Sequence, residues 1–307
     1  NFEIIIVDDA SKDSSKEIIE KYNSKIKNLY FFKQKINNGC AKSRNIIISK
    51  AKGEFIAFFD DDDFSRSDRL SLQFYHLINY EKNLSTKFVA CFGSGFRIYP
   101  NSYRKSVTAV GAYGLPPIGL QMANYLLFNE RINKVDYGAG APTCSLFTRT
   151  SIFHDLGGFD TNVRRQEDVD FAIKFAMKEG HFIGIREPVI EQYVSFSDDK
   201  NAYIEYKSSL YILDKYCDYL KSKGLYKYMQ LWMQLKFFHI SKNDIKAIFL
   251  LSKIFLLYPY RTIKHFSRSA FNRFLHEQLI NSSSKRIMVK EECVKFLNYL
   301  INIFGHE

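Results

Sequence analysis

The chain has 307 residues, 46% of them hydrophobic, with a formal net charge of +11. That length and apolar content suit one large domain or two smaller ones with a real core, and they exclude a disordered chain. The basic excess is uneven: from Ser241 to Glu307 eleven Lys/Arg stand against five Asp/Glu, which is +6 of the total. Such a tail suits nucleic acid, anionic lipid or an anionic substrate. No nucleic-acid motif supports the first, and the tail's aromatics alternate with aliphatics as on a helical apolar face. The five cysteines (Cys40, Cys91, Cys144, Cys217, Cys293) form no CxxC pair, which argues against a zinc site or disulfide framework and for a reducing cytoplasm. The chain starts at Asn1, without an initiator Met or a signal peptide, and reads as a fragment that has lost its natural start.

Phe2–Val7 is a β-branched run expected to be a buried strand, closed by Asp8–Asp9. Ser11–Ser14 reads as a turn and helix N-cap, Lys16–Tyr22 as a helix, and Leu29–Phe32 as a second strand. Asn37–Asn38–Gly39 is a turn, Ala41–Ala51 a helix, and Gly53 its C′ glycine. The apolar run Glu54–Phe59 reads as a third strand, with Asp60–Asp61–Asp62–Asp63 at its carboxyl end. Asp68–Tyr80 is a helix with Leu70, Phe74, Leu77 and Ile78 at helical spacing. Strand–helix alternation implies a mostly parallel α/β sheet, with Asp8–Asp9 and Asp60–Asp63 along one edge.

Further on, Phe88–Cys91 and Phe96–Tyr99 read as two strands. Residues 101–142 form a loop-rich segment around one helix, Gln121–Phe128, placed to cover a site. Thr143–Arg149 is a strand and Ser151–Leu156 a short helix. Arg164–Asp168 opens a helix that runs to about Glu179, and Phe182–Ile185 is a strand. Glu167 and Asp168 sit in that helix's first turn, where the dipole alone favours carboxylates. After residue 200 the chain turns aromatic, helical and lysine-rich, with helices over Tyr203–Lys221 and Tyr226–His239. The apolar stretch Ala247–Tyr260 falls short of the ~20 residues a membrane span needs. Followed by Arg261, Lys264, Arg268 and Arg273, it reads either as an in-plane interfacial helix or as part of a packed helical subdomain.

There is no GxGxxG, P-loop or GxSxG motif and no HExxH-type histidine pair. What remains is carboxylates in three places: Asp8–Asp9, Asp60–Asp63 and Glu167–Asp168. An isolated acidic run is as readily a solvated turn as a cation site, but a buried strand in front of it favours the second. A divalent cation held by one or two carboxylates can bridge to a diphosphate, and a separate carboxylate can act as general base.

Ile5–Ile6–Val7–Asp8–Asp9–Ala10–Ser11–Lys12–Asp13–Ser14 resembles the IIVDDGSxDxS signature of family 2 glycosyltransferases. Asn38–Gly39–Cys40–Ala41–Lys42–Ser43–Arg44–Asn45 resembles their NxGxAxARN, Gly53–Asp63 their GExIxFLDxDD, and Gly157–Asp160 with Glu167–Asp168 their GGFDE…ED segment. The match covers roughly residues 1–195. The resemblance implies a GT-A (Rossmann-like) glycosyltransferase domain over 1–200 with its first strand and PxYN-like turn missing. A basic, aromatic-rich helical region follows over 201–307. It implies inverting transfer of a sugar from a nucleotide-sugar donor, expected to be a UDP-sugar, to a hydroxyl of a glycan or lipid-linked acceptor in bacterial surface polysaccharide synthesis. Asp60-x-Asp62 would be the DXD motif, with Asp62 and Asp60 on Mn2+ or Mg2+. Asp8, Asp9, Asn38, Gly39, Arg44, Asp60 and Asp61 would contact the donor. Asp168 would be the base, and Glu167 would help place the acceptor.

The chain departs from the family in two further places: Ala10 stands where glycine is usual, and Gln192–Tyr193–Val194–Ser195 lacks the histidine of a YRxH-like segment. Gly138–Thr143 is expected to bring backbone close to the donor sugar. The protein is expected in the cytoplasm, peripheral on the inner face of the plasma membrane through its basic tail, with no nucleic-acid partner. The alternatives are a sugar-nucleotide nucleotidyltransferase and a non-catalytic, membrane-associated binding protein of the same fold.

Overall fold

The computed structural model describes residues 2–23, 25–194 and 201–268. Ser195, Arg273 and Cys293 lie outside the described residues. Strands β1 (Ile4–Asp8) and β2 (Leu29–Lys33) pair in parallel, with Asp8 opposite Lys33. The crossover between them is α1 (Ser15–Asn23), opened by Asp13 Oδ1 accepting from Ser15 N at 3.0 Å. Helix α2 (Cys40–Lys50) follows Gly39. It ends on extended Ala51, not on a left-handed Gly53. Glu3 Oε1 accepts from Lys52 N and Gly53 N at 2.6 and 2.9 Å, so a side chain from the β1 end holds this exit.

A second sheet runs β3 (Phe55–Ala57), β7 (Leu146–Arg149), β5 (Val89–Ile98), β8 (His181–Tyr193) and β4 (Asp63–Ser65), with β6 (Arg104–Val107) on β5. The α/β class is as expected, but the expectation of a mostly parallel sheet is corrected. Among the described residues β1–β2 and β5–β8 pair in parallel, and β3–β7, β5–β7, β5–β6 and β4–β8 pair antiparallel. Antiparallel partners need no crossover helix: β5 turns straight into β6 through Tyr99 N donating to Tyr103 O at 2.9 Å. The two strands expected at 88–91 and 96–99 are one, β5. A Cβ at Gly95 would sit 2.0 Å from Ile190 O, so only glycine lets β8 continue along it through the register shifts around Ser94.

The remaining helices are α3 (Arg69–Leu84), α4 (Leu120–Phe128), α5 (Thr150–Leu156), α6 (Glu167–Met177), α7 (Ala202–Lys215), α8 (Cys217–Ser222), α9 (Tyr226–Ile240) and α10 (Asp244–Leu257), with residues 259–268 also helical. The helix expected over Tyr203–Lys221 divides at Tyr216, whose hydroxyl donates to Asp170 Oδ1 at 3.1 Å. One core lies between the large sheet and α2, α4, α5 and α6. Its aromatic centre stacks Phe153 on Phe171 at 4.5 Å and sets Phe58 edge-on to Phe159 at 5.9 Å. That packing fixes the exit of β3, the 157–159 turn and α6 to one another. A second apolar cluster joins Leu127, Val163 and Ile173 to Ile212, Leu220, Met229, Leu250 and Ile254, so α7–α10 are packed against α4 and α6.

Candidate active site

At the end of β1 the two aspartates point to different tasks. Asp8 is buried, and its Oδ1 accepts from Ser11 N at 2.7 Å while Lys33 Nζ lies 3.1 Å from Oδ2. Burial pushes its carboxyl up, but Ser11 and Lys33 outweigh that and hold it below its ordinary value. Asp9 Oδ1 accepts from Asn38 N and Gln34 Nε2, both at 2.8 Å, and Oδ2 from Gly39 N at 2.7 Å. Its carboxylate therefore ties the Asn38–Gly39 turn to β1. Gly39 sits at φ +88°, and a Cβ there would lie 2.7 Å from Arg164 Nη1. An open cleft of about 640 Å³ lies beyond the ends of β1 and β2, lined by Ser11, Lys12, Lys33, Lys35 and Asn37 among others.

The acidic run is a tight turn between β3 and β4, closed by Asp63 N donating to Asp60 O at 3.3 Å. Asp61 and Asp62 are exposed at its tip. Asp63 already belongs to β4 and stands opposite Gln192 of β8. Burial raises the Asp60 carboxyl above its ordinary value; Arg44 opposes this, while Asp62 and Asp61 add to it. Burial, then Asp60 and Asp62, lift the Asp63 carboxyl to about 6. Asp63 Oδ2 is buried with no hydrogen-bond partner. Ligand atoms of Asp60, Asp63 and Cys144 all lie within 4.8 Å of one another. Burial holds the Cys144 thiol protonated, and Gln192 Nε2 donates to its sulfur at 3.0 Å, so the oxygens are the donors a hard cation would use.

The third acidic pair opens α6. Arg44, buried on α2, joins it to the acidic turn: Nη1 donates to Glu167 Oε1 at 2.6 Å and Nη2 to Asp60 Oδ1 at 3.3 Å. The same guanidinium lies over the Phe159 ring at 5.6 Å. Asn45, next on α2, accepts from Phe159 N and donates to Phe159 O, both at 2.8 Å. The run Arg44–Asn45 thus binds the acidic turn, the Gly157–Phe159 turn and the start of α6 into one unit. Burial first, then the Glu167 charge, lift the Asp168 carboxyl to about 6 against the pull of Arg44 and Arg165. Its Oδ1 accepts from Val169 N at 2.8 Å.

Beneath the acidic turn lies Arg69, fully buried, donating to Phe58 O at 3.0 Å, Ser65 Oγ at 2.9 Å and Gln73 Oε1 at 3.0 Å. Its guanidinium also covers the Phe59 ring at 4.3 Å. Helix α7 braces the start of α6 from the other side. Ser208 Oγ accepts from Arg165 N at 3.2 Å, Gln166 Nε2 donates to Ser209 Oγ at 2.9 Å, and Lys215 Nζ lies 2.6 Å from Asp160 and 2.9 Å from the buried Asp170.

Of the residues singled out in the sequence, Arg44, Asp60 and Glu167 are brought into direct contact, with Asp168 beside them. Asp9, Asn38 and Gly39 form a separate unit, near Asp8. Gly138 packs closely within the fold: a Cβ there would lie 2.6 Å from the backbone of Thr108, Ala109 and Val110. Gly140, by contrast, faces open space. The sequence expectation puts the metal on Asp60 and Asp62; the structure also brings ligand atoms of part-buried Asp60 and Asp63 together with buried Cys144. Arg69, Gln192 and Cys144 were not anticipated. Arg69 and Gln73 at i, i+4 just after an acidic run were the one signal for the first.

Residues 1–152 match the family model for glycosyl transferase family 2. An uncharacterised glycosyltransferase of Haemophilus influenzae is 44% identical over 73 residues, 24% of this chain and 29% of that protein. The cholesterol galactosyltransferase of Borreliella burgdorferi is 32% identical over 185 residues, 57% of this chain and 47% of that protein. The chain thus spans less than half the length of these curated relatives. The crystal structure of Staphylococcus aureus TarS 1-349 in complex with UDP-GlcNAc superposes over 91% of this chain and 80% of that one, with TM-score 0.54 and 17% identity. The two share the GT-A fold.

Proposed function

The chain belongs to glycosyl transferase family 2 through residues 1–152, and from that membership we propose that it is an inverting, metal-dependent glycosyltransferase. It moves a sugar from a UDP-sugar to a hydroxyl of a glycan or lipid-linked acceptor. The observation that carries this reading is Arg44, which joins Asp60 of the acidic turn to Glu167 of the acceptor-side pair. One buried cation-bearing side chain so holds donor-side and acceptor-side carboxylates in register.

The donor's nucleotide occupies the cleft beyond β1 and β2, where Lys12, Lys33 and Lys35 supply positive charge and the Asp9-held turn at Asn38–Gly39 forms a wall. Mn2+ or Mg2+ would be held by carboxylates of the Asp60–Asp63 turn: Asp60 and Asp62 by the resemblance, and Asp63 by its buried, unpartnered oxygen. Such a cation offsets the charge of the diphosphate. Asp168 takes the proton from the acceptor hydroxyl as that oxygen attacks the anomeric carbon. The bond from that carbon to the diphosphate oxygen breaks, and the nucleoside diphosphate leaves with the electron pair, inverting the centre. A carboxyl lifted to about 6 by burial and by Glu167 is ionised at neutral pH yet more basic than an exposed aspartate, as a general base needs. The TarS complex with UDP-GlcNAc, of the same fold, supports a nucleotide-sugar donor. A place in bacterial surface polysaccharide synthesis, at the cytoplasmic face of the membrane, is part of the same reading.

The test is a panel of nucleotide sugars with Mn2+ or Mg2+, following release of nucleoside diphosphate with wild type and Asp168→Asn. The reading expects metal-dependent release that Asp168→Asn lowers by about 10²–10⁴-fold, with donor affinity kept. Near-normal turnover of Asp168→Asn would remove the base assignment.

A further inference from the structure

Helix α10 has two apolar faces. One holds Leu250 and Ile254, buried in the cluster that α10 shares with α7–α9. The other holds Ile245, Ile248, Phe249 and Leu256, exposed to 85%, 65%, 75% and 82%. With Ser252 these fall at i, i+3, i+4, i+7 and i+11, a single stripe opposite the buried one. Lys246 and Lys253, both exposed, lie on the row beside it. The chain then enters the 259–268 helix with Tyr260, Ile263 and Lys264 exposed. Over 241–268 six Lys/Arg (Lys242, Lys246, Lys253, Arg261, Lys264, Arg268) face one acid, Asp244. Isolated exposed apolar residues need no explanation, but an ordered stripe of four large ones does.

We propose that this outer face of α10 seats on an anionic lipid bilayer, with the helix lying in the membrane plane. The charge decides among occupants. A second copy of this chain would bring the same lysines toward each other, whereas an anionic headgroup layer takes a lysine row and an apolar stripe together. At 14 residues α10 is about 21 Å long, and no described helix is long and apolar enough to cross a membrane, so the contact is one of surface insertion. The inference extends the acceptor side of the proposed function, since a lipid-linked acceptor would be met at that surface, and it does not depend on the transfer chemistry.

Flotation of the full chain with vesicles of phosphatidylcholine alone, and of phosphatidylcholine with phosphatidylglycerol, tests it. Wild type floats with the anionic vesicles, and added salt weakens the binding. Phe249→Glu with Leu256→Glu lowers it about tenfold or more, because each places a charge where an apolar side chain inserts. Lys246→Gln with Lys253→Gln, which leaves the apolar stripe intact, lowers it on anionic vesicles by a further measurable step at low salt. Nucleotide-sugar hydrolysis in solution is unchanged in both variants, which separates this question from the catalytic one. No binding by wild type, or binding that both variants keep, overturns the proposal. Sedimentation equilibrium showing self-association that Phe249→Glu with Leu256→Glu abolishes would instead make the face an interface between copies.

Discussion

Asp9 directly follows β1 and Asp63 opens β4, and their carboxylates are in opposite states. The Asp9 carboxylate is met by three donors from its own chain, two of them backbone N–H groups of the Asn38–Gly39 turn. The Asp63 carboxylate has one buried oxygen with no hydrogen-bond partner; burial first, then the Asp60 and Asp62 charges, lift its carboxyl to about 6 against the pull of Gln192 and Cys144. The two aspartates thus divide into one whose carboxylate ties a turn to a strand and one left with a buried, unpartnered oxygen. An acidic motif by itself does not say which is which; the supply of donors around it does.

The contrast can be broken by substitution. Asp9→Ala should have the largest effect on the fold. It removes three hydrogen bonds to a charged acceptor and frees the turn, a loss of about 3 kcal/mol, read as a lower urea midpoint. Asp63→Asn should move the other way. The carboxyl's value in the fold lies above the ordinary 3.8, so its ionised form opposes folding and stability falls as pH rises from about 4 through about 6. The amide removes that penalty, and the variant should be about 1 kcal/mol more stable than wild type at neutral pH without metal, while binding Mn2+ more weakly. If Asp63→Asn were as destabilising as Asp9→Ala, the two regions would not differ as described.

Turnover should sharpen the same picture. In its proposed role Asp168 acts as the carboxylate, so with its carboxyl near 6 kcat/KM should fall about tenfold per pH unit below that value and level off above it. The smallest effect concerns Ala10. Its φ is +65°, a left-handed backbone that costs a residue with a Cβ about 1 kcal/mol, which is the physical reason glycine suits this place. Ala10→Gly should therefore raise stability by about 0.5 kcal/mol, the strain relieved being partly offset by the entropy glycine loses on folding.

Much of the fold was legible because it rests on local pattern. The β-branched run at 4–8, the apolar periodicity of α3 and the Phe171–Phe175 spacing of α6 each state their element. The antiparallel pairings were not legible, because they depend on partners far apart in sequence. β4 is three residues long and begins inside the acidic run, so its Asp63–Phe64–Ser65 gave no strand signal. β5 looks broken at Gly93–Ser94–Gly95, where Gly95 in fact admits the β8 backbone at Ile190 and Gly93 the Val189 side chain. At the site, the carboxylates and Arg44 were visible as motif residues. Arg69 was not: its role comes from carbonyl and hydroxyl groups at Phe58 and Ser65 that only the folded chain brings together.

The central claim is that the Asp60–Asp63 turn holds a cation against a nucleoside diphosphate. Calorimetric titration of UDP into the protein, with and without Mn2+, tests it most directly in wild type and in Asp63→Asn. The account predicts UDP affinity that rises with Mn2+ in wild type and loses most of that rise in Asp63→Asn. Equal UDP affinity with and without Mn2+ in wild type would contradict it.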